Sequence, residues 1–147
     1  MIGLIVSGHI NFASGMASAV TAIAGAQQHI AFIDFVETLS PDELQAKMFS
    51  EMAAMDCSEG YLFLTDLPGG TPCNRAMAIM MNTPNVEVLA GVNLPMIVNA
   101  VFEREGCELG ELVAILEEIG AQSIQNIRHQ LQAADTDSDD LSEDDGL

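Results

Sequence analysis

Four short apolar runs, each separated from the next by a stretch with helical spacing, confine this chain to one kind of architecture. The runs are Ile2 to Ser7, Ile30 to Phe35, Tyr61 to Thr65 and Val86 to Ala90. They are rich in β-branched residues and lack a regular polar alternation, which suits strands buried on both faces of a parallel sheet. Parallel neighbours need long crossovers, and the intervening segments supply them. Ser40-Pro41-Asp42-Glu43 predicts an N-cap serine, a first-turn proline and a glutamate reaching back, which together make a capping box. The helix it opens runs to about Met55, with Leu44, Met48, Met52 and Met55 on one side.

Thr71-Pro72 predicts a second N-cap and first-turn proline, followed by Met77, Met80 and Met81 at helical rhythm. Asn93 to Glu103 and Leu109 to Ala121 read as two further helices, the second carrying Leu112, Ile115, Leu116 and Ile119 toward the core. Ser123 to Ile127 is short and reads as a candidate added edge strand. The βαβαβα pattern implies a right-handed, doubly wound α/β sheet with strand order 2-1-3-4. In that order strands 1 and 3 are neighbours whose connections leave to opposite faces, so a crevice opens beyond their carboxyl ends.

The chain has 147 residues, the size of one domain. We place that domain at residues 1–130 and an acidic tail at 131–147. Seven acidic residues occupy the last thirteen positions, so Ala134 to Leu147 is expected to be disordered and solubilising. A formal charge of −18 with four Lys plus Arg would repel a phosphate backbone, which argues against nucleic acid as a partner. No apolar run approaches the roughly 20 residues that span a bilayer. The first residues carry no Lys or Arg ahead of their apolar stretch, unlike a signal peptide, so the expected location is cytoplasmic. Cys57, Cys73 and Cys107 are an odd number without C-x-x-C spacing, which argues against a disulfide framework and a zinc site. No carboxylate cluster suited to magnesium is evident, and no metal or cofactor is expected.

His9 falls at the crevice, just beyond the first run, in Ser7-Gly8-His9-Ile10-Asn11. An imidazole there can act as a general base or as a nucleophile. His29 and His129 lack that placement and read as surface residues. Asp66 closes the third run at the same edge, where an unpaired carboxylate would be costly. Bonding to Nδ1–H of His9 would satisfy it, fix the tautomer and leave Nε2 free. Gly69-Gly70-Thr71 leads into a helix start, whose free N–H groups and dipole favour an anion such as a phosphoryl group. Neither G-x-x-x-x-G-K-[ST] nor G-x-G-x-x-G occurs, which disfavours a nucleotide.

Three segments carry a specific resemblance: His9 with Phe12-Ala13 and Gly15, Asp66-Leu67-x-Gly69-Gly70-Thr71-Pro72-x-Asn74, and Gly91-x-Asn93-Leu94-Pro95-Met96. In order and separation they resemble the IIA component of the mannose-family sugar phosphotransferase system, over about Met1 to Arg128. The resemblance implies a flavodoxin-like fold and a homodimer exchanging an edge strand. It implies a histidine phosphorylated by HPr and dephosphorylated by a IIB protein, with an indirect link to membrane IIC and IID components. His9 matches the phosphorylated histidine, Asp66 its orienting carboxylate, and Thr71 the hydroxyl beside the phosphate, with Gly69 and Gly70 contributing to phosphate binding. Ile10 stands where a glycine is usual, and Pro68 where an aromatic residue is common. The Asn93-Leu94-Pro95-Met96 stretch would either line the same rim or simply start a helix. Two other readings are a phosphoryl-donor subunit for a dihydroxyacetone kinase and a non-catalytic sensor that binds a small anion at the glycine pair.

Overall fold

The computed structural model describes the backbone of residues 1–141 and the side chains of residues 1–136. Along the chain run β1 (Gly3–His9), α1 (Phe12–Ala24), β2 (Ile30–Phe35), α2 (Pro41–Met55), β3 (Tyr61–Thr65) and α3 (Thr71–Asn82). They are followed by β4 (Val86–Ala90), α4 (Leu94–Glu103), α5 (Leu109–Gln122) and α6 (Ile127–Leu141). The four strands are parallel in the order β2-β1-β3-β4, the doubly wound arrangement expected from the sequence. The register pairs His9 with Phe35 and Ser7 with Thr65, which brings the carboxyl ends of β1, β2 and β3 to one edge.

The sheet is covered on both faces, as its apolar strands require. Leu4, Val6, Leu62 and Leu64 point to the side packed by α1, α4 and α5, while Ile5, Ile33 and Phe63 point to the side packed by α2 and α3. Leu4, Ile5, Val6 and Phe63 are wholly buried, and each such side chain contributes about 1.5–3 kcal/mol of transfer free energy. Because α1 and α3 lie on opposite faces, the loops after β1 and β3 diverge and leave the crevice between them. Two buried hydroxyls are satisfied within the sheet: Ser7 Oγ donates to the Ile33 carbonyl at 2.9 Å and Thr65 Oγ1 to that of Leu89 at 3.2 Å.

Three local features depart from the sequence reading. β1 extends to His9, because the Phe35 register keeps the ladder going two residues past Ser7. In α3 the buried side chains are Pro72, Ala76 and Ile79, while Met77 and Met81 face outward, because the helix turns its more compact residues to the sheet. Residues 123–126 form no strand within this single chain and leave Ile124 82% exposed. The helix α6 spans Ile127–Leu141 and so overlaps the start of the acidic tail. Asn126 accepts from the His129 N–H at 3.0 Å and caps the start of that helix. Residues 142–147 of that tail lie outside the described residues.

Candidate functional site

His9 is the last residue of β1 and Asp66 the first after β3, on adjacent strands at the same edge. Their approach depends on Gly8, since a Cβ there would sit 2.8 Å from Asp66 Cγ. Asp66 holds the histidine at two points. The His9 backbone N–H donates to Oδ2 at 2.8 Å, and ring Nδ1 lies 3.0 Å from Oδ2 and 3.2 Å from Oδ1. A carboxylate facing Nδ1 places the ring proton there and leaves the lone pair on Nε2. The His9 side chain is 40% exposed and that of Asp66 15%, so the ring is reachable from outside while its anchor is largely covered. Phe35 sets its ring edge-on to the imidazole at a centroid distance of 6.0 Å, which limits rotation of the ring.

The segment after Asp66 is shaped by a tight turn. Gly70 N–H donates to the Leu67 carbonyl at 3.0 Å, with Pro68 and Gly69 in the centre and Gly69 at φ 81°. Proline followed by a glycine of positive φ is the type II pattern, which accounts for Pro68 locally. Asn74 Nδ2 ties the turn back by donating to the Gly69 carbonyl at 3.1 Å. Helix α3 then starts with Gly70, not Thr71, as its N-cap, and Thr71 is the first helical residue. The sequence reading of Thr71 as the cap is therefore corrected, because the turn leaves Gly70 in the extended conformation that a cap requires.

Gly70 is also where the helix meets the histidine. A Cβ on Gly70 would fall 2.8 Å from His9 Cε1 and 3.4 Å from Nε2, so the free nitrogen looks onto the start of α3. The first helical bond there runs from the Asn74 N–H to the Gly70 carbonyl at 2.9 Å. The N–H groups of Thr71 and Cys73 thus remain unpaired within the helix, and Pro72 has none.

The other helix starts are occupied by side chains. Asp34 accepts from Ser14 in α1 at 2.9 Å, Ser40 and Glu43 close the capping box of α2, and Asn93 accepts from Met96 in α4 at 3.2 Å. Glu111 reaches back to the Glu108 N–H of α5, and Asn126 caps α6. The start of α3 has no side-chain cap, and it faces His9 Nε2. Uncapped N–H groups and the positive end of the dipole make that spot suited to an anion.

His9, Asp66 and Gly70 lie together, with Thr71 next to Gly70 in the chain and Gly69 shaping the turn before it. The Asn93-Leu94-Pro95-Met96 stretch starts α4, where Asn93 Nδ2 also donates to the Gly120 carbonyl at 3.1 Å and ties α4 to α5. His29 lies at the opposite edge of the sheet, before β2, and His129 is exposed on α6. Cys57, Cys73 and Cys107 are unpaired thiols. Asp34 and Phe35 escaped the sequence reading, although the end of the second apolar run was the signal that would have placed them beside His9.

Residues 3–117 match the EIIA-man family, described as PTS system fructose IIA component. The mannose-specific EIIAB component of Escherichia coli K12 is 31% identical over 86% of this chain, which spans 40% of that relative's length. The fructose-specific EIIA component of Bacillus subtilis is 29% identical over 98% of this chain and 99% of its own. Among solved structures, the EIIA component of Streptococcus agalactiae superposes with a TM-score of 0.82 at 30% identity, covering 88% of this chain and 99% of that one. The mannose/sorbose-specific IIA subunit of Enterococcus faecalis gives 0.77 at 29% identity, covering 85% and 93%. A match spanning most of the chain, joined to these full-length likenesses, establishes that it belongs to the EIIA-man family of phosphotransferase-system IIA components.

Proposed function

We propose that the chain is a phosphoryl carrier of a sugar phosphotransferase system. It accepts a phosphoryl group from HPr on His9 and passes it to a IIB component. The observation that carries this reading is the two-sided setting of one imidazole, with Nδ1 held by Asp66 and Nε2 facing the uncapped start of α3. In the forward step the Nε2 lone pair attacks phosphorus, the N–P bond forms, and the bond between phosphorus and the donor breaks with its electron pair leaving on the donor. The Nδ1 proton stays on the ring, which becomes cationic as the bond forms, and Asp66 stabilises that charge. The phosphoryl oxygens meet the free N–H groups at the start of α3, that of Thr71 first, and the hydroxyl of Thr71. Donation to IIB is the same displacement with His9 as the leaving group.

No described helix is long and apolar enough to cross a membrane, in keeping with a carrier that works in the cytoplasm and serves membrane IIC and IID components through IIB. The B component enters the proposal through the mannose-specific relative, whose name joins A and B. The test is to mix the purified chain with phosphoenolpyruvate, enzyme I and HPr and read its intact mass. One added phosphoryl group is expected, lost in mild acid and missing in His9→Ala, yet retained in His29→Ala and His129→Ala. An anion sensor would bind phosphate without a covalent adduct, and phosphate retained on His9→Ala would overturn the mechanism.

A further inference from the structure

Ile10, directly after His9, has φ 54°, the left-handed region in which a β-branched side chain is strained. Its side chain is 47% exposed and joins neither core cluster, so packing inside the fold does not offset the strain. Something else must hold the turn. Two hydrogen bonds flank it, and both come from consecutive residues at the end of β2. The Phe35 carbonyl accepts from the Ile10 N–H at 2.8 Å, and Asp34 Oδ1 accepts from the Ser14 N–H at 2.9 Å. The second bond does the work of an N-cap across strands. Asn11, at the cap position of α1, has φ −104° and ψ 20° and makes no capping bond with its side chain. Asp34 sits opposite Gly8 in the β1–β2 register, one residue before the Phe35 ring that borders the imidazole.

We propose that Asp34 is a positioning residue for phosphoryl acceptance: by capping α1 from the neighbouring strand it holds the strained His9–Ile10–Asn11 turn closed and keeps Nε2 of His9 against the start of α3. The proposal rests on the phosphoryl-carrier reading. Asp34 itself touches neither the phosphoryl group nor the reacting nitrogen. Its effect passes through the backbone of the turn, so the strain at Ile10 and the cap from Asp34 are coupled. Removing the cap lets the turn relax, whereas removing the strain makes the cap dispensable. A glycine at position 10 adopts the same φ without penalty.

The experiment compares the wild type, Asp34→Ala, Asp34→Asn, Ile10→Gly and the double variant Asp34→Ala/Ile10→Gly. Two readouts are used: the kinetics of phosphoryl uptake from phosphorylated HPr, and the ring ¹⁵N shifts of His9 with no donor present. Asp34→Ala is expected to lower the maximal rate about tenfold with KM unchanged, as misplacement of a reacting group does, and to shift the His9 ring signals. Asp34→Asn keeps an acceptor oxygen and should restore both, and the double variant should recover most of the rate. A wild-type rate and unshifted ring signals in Asp34→Ala would overturn the proposal. So would a rate loss that Ile10→Gly fails to rescue, because that would mark a merely structural cap. A wild type that takes up no phosphoryl group would count against the carrier reading instead, and the donor-free ring signals would still decide whether Asp34 holds the imidazole.

Discussion

At the scale of single residues, the account turns on Gly70 and Asp66. Gly70→Ala places a methyl group 2.8 Å from His9 Cε1, so the ring must move away from the helix start. Phosphoryl uptake should fall by about 100-fold while the circular dichroism of the fold stays unchanged, since a displacement of about 1 Å at a reacting group has that effect. Asp66→Asn keeps the shape but loses the charge opposite the developing cation, and should slow transfer roughly 100-fold with little change in thermal unfolding. Wild-type stopped-flow kinetics in either variant would contradict the assigned role. His9 and Asp66 were legible in the sequence because a doubly wound sheet fixes where the ends of its first and third strands meet. Asp34 and Phe35 were not singled out, because their part depends on the β1–β2 register, which residue types alone do not specify.

Among the elements, the helix starts differ in what satisfies their N–H groups. The capping box of α2 is structural: Glu43 N–H donates to Ser40 Oγ at 3.1 Å and Ser40 N–H to Glu43 Oε1 at 3.0 Å. Ser40→Ala should therefore cost about 1 kcal/mol in urea denaturation without affecting phosphoryl uptake. The Ser40 amide, and after it the Ser40 hydroxyl, hold the Glu43 carboxyl below its ordinary value of 4.5. A carboxyl lowered in the folded state stabilises above its unfolded value, and that contribution is lost as pH falls through the lowered one. Glu43→Gln should accordingly show a shallower loss of stability with acid below about pH 4.5, and an unchanged acid slope would contradict this linkage. The bounds of β2, β3, β4 and α2 were readable because apolar runs and a capping box are local signals. The start of α3 was misplaced by one residue, because the turn at Pro68-Gly69 decides which residue is extended, and Thr71 looked like the better cap.

For the whole molecule, stability rests in part on groups far from His9. Arg104 is 1% exposed and donates to the carbonyls of Ile2, Gln28 and His29 at 3.2, 2.6 and 2.7 Å, joining the end of α4 to the entrances of β1 and β2. Burial pushes its guanidinium below the ordinary value, so these bonds are what keep the charge tolerable. Arg104→Met should destabilise the fold by about 3 kcal/mol, read by urea denaturation, because the carbonyls of Ile2, Gln28 and His29 each lose a charge-assisted hydrogen bond. We also propose the homodimer that the family resemblance implies, with residues 123–127 as the exchanged segment. The exposed Ile124, Ile127 and Leu131 and the position of β4 at the end of the sheet support it, and a monomer in sedimentation at micromolar concentration would overturn it. The sequence suggested an edge strand there, but a strand that needs a second chain has no partner in one. The central claim remains the division of labour on one imidazole, and nitrogen-resolved NMR of the ¹⁵N-labelled phosphorylated protein tests it most directly. Phosphorus coupled to Nε2 of His9, with Nδ1 still protonated, is the predicted result, whereas attachment at Nδ1 or on another residue would contradict the account.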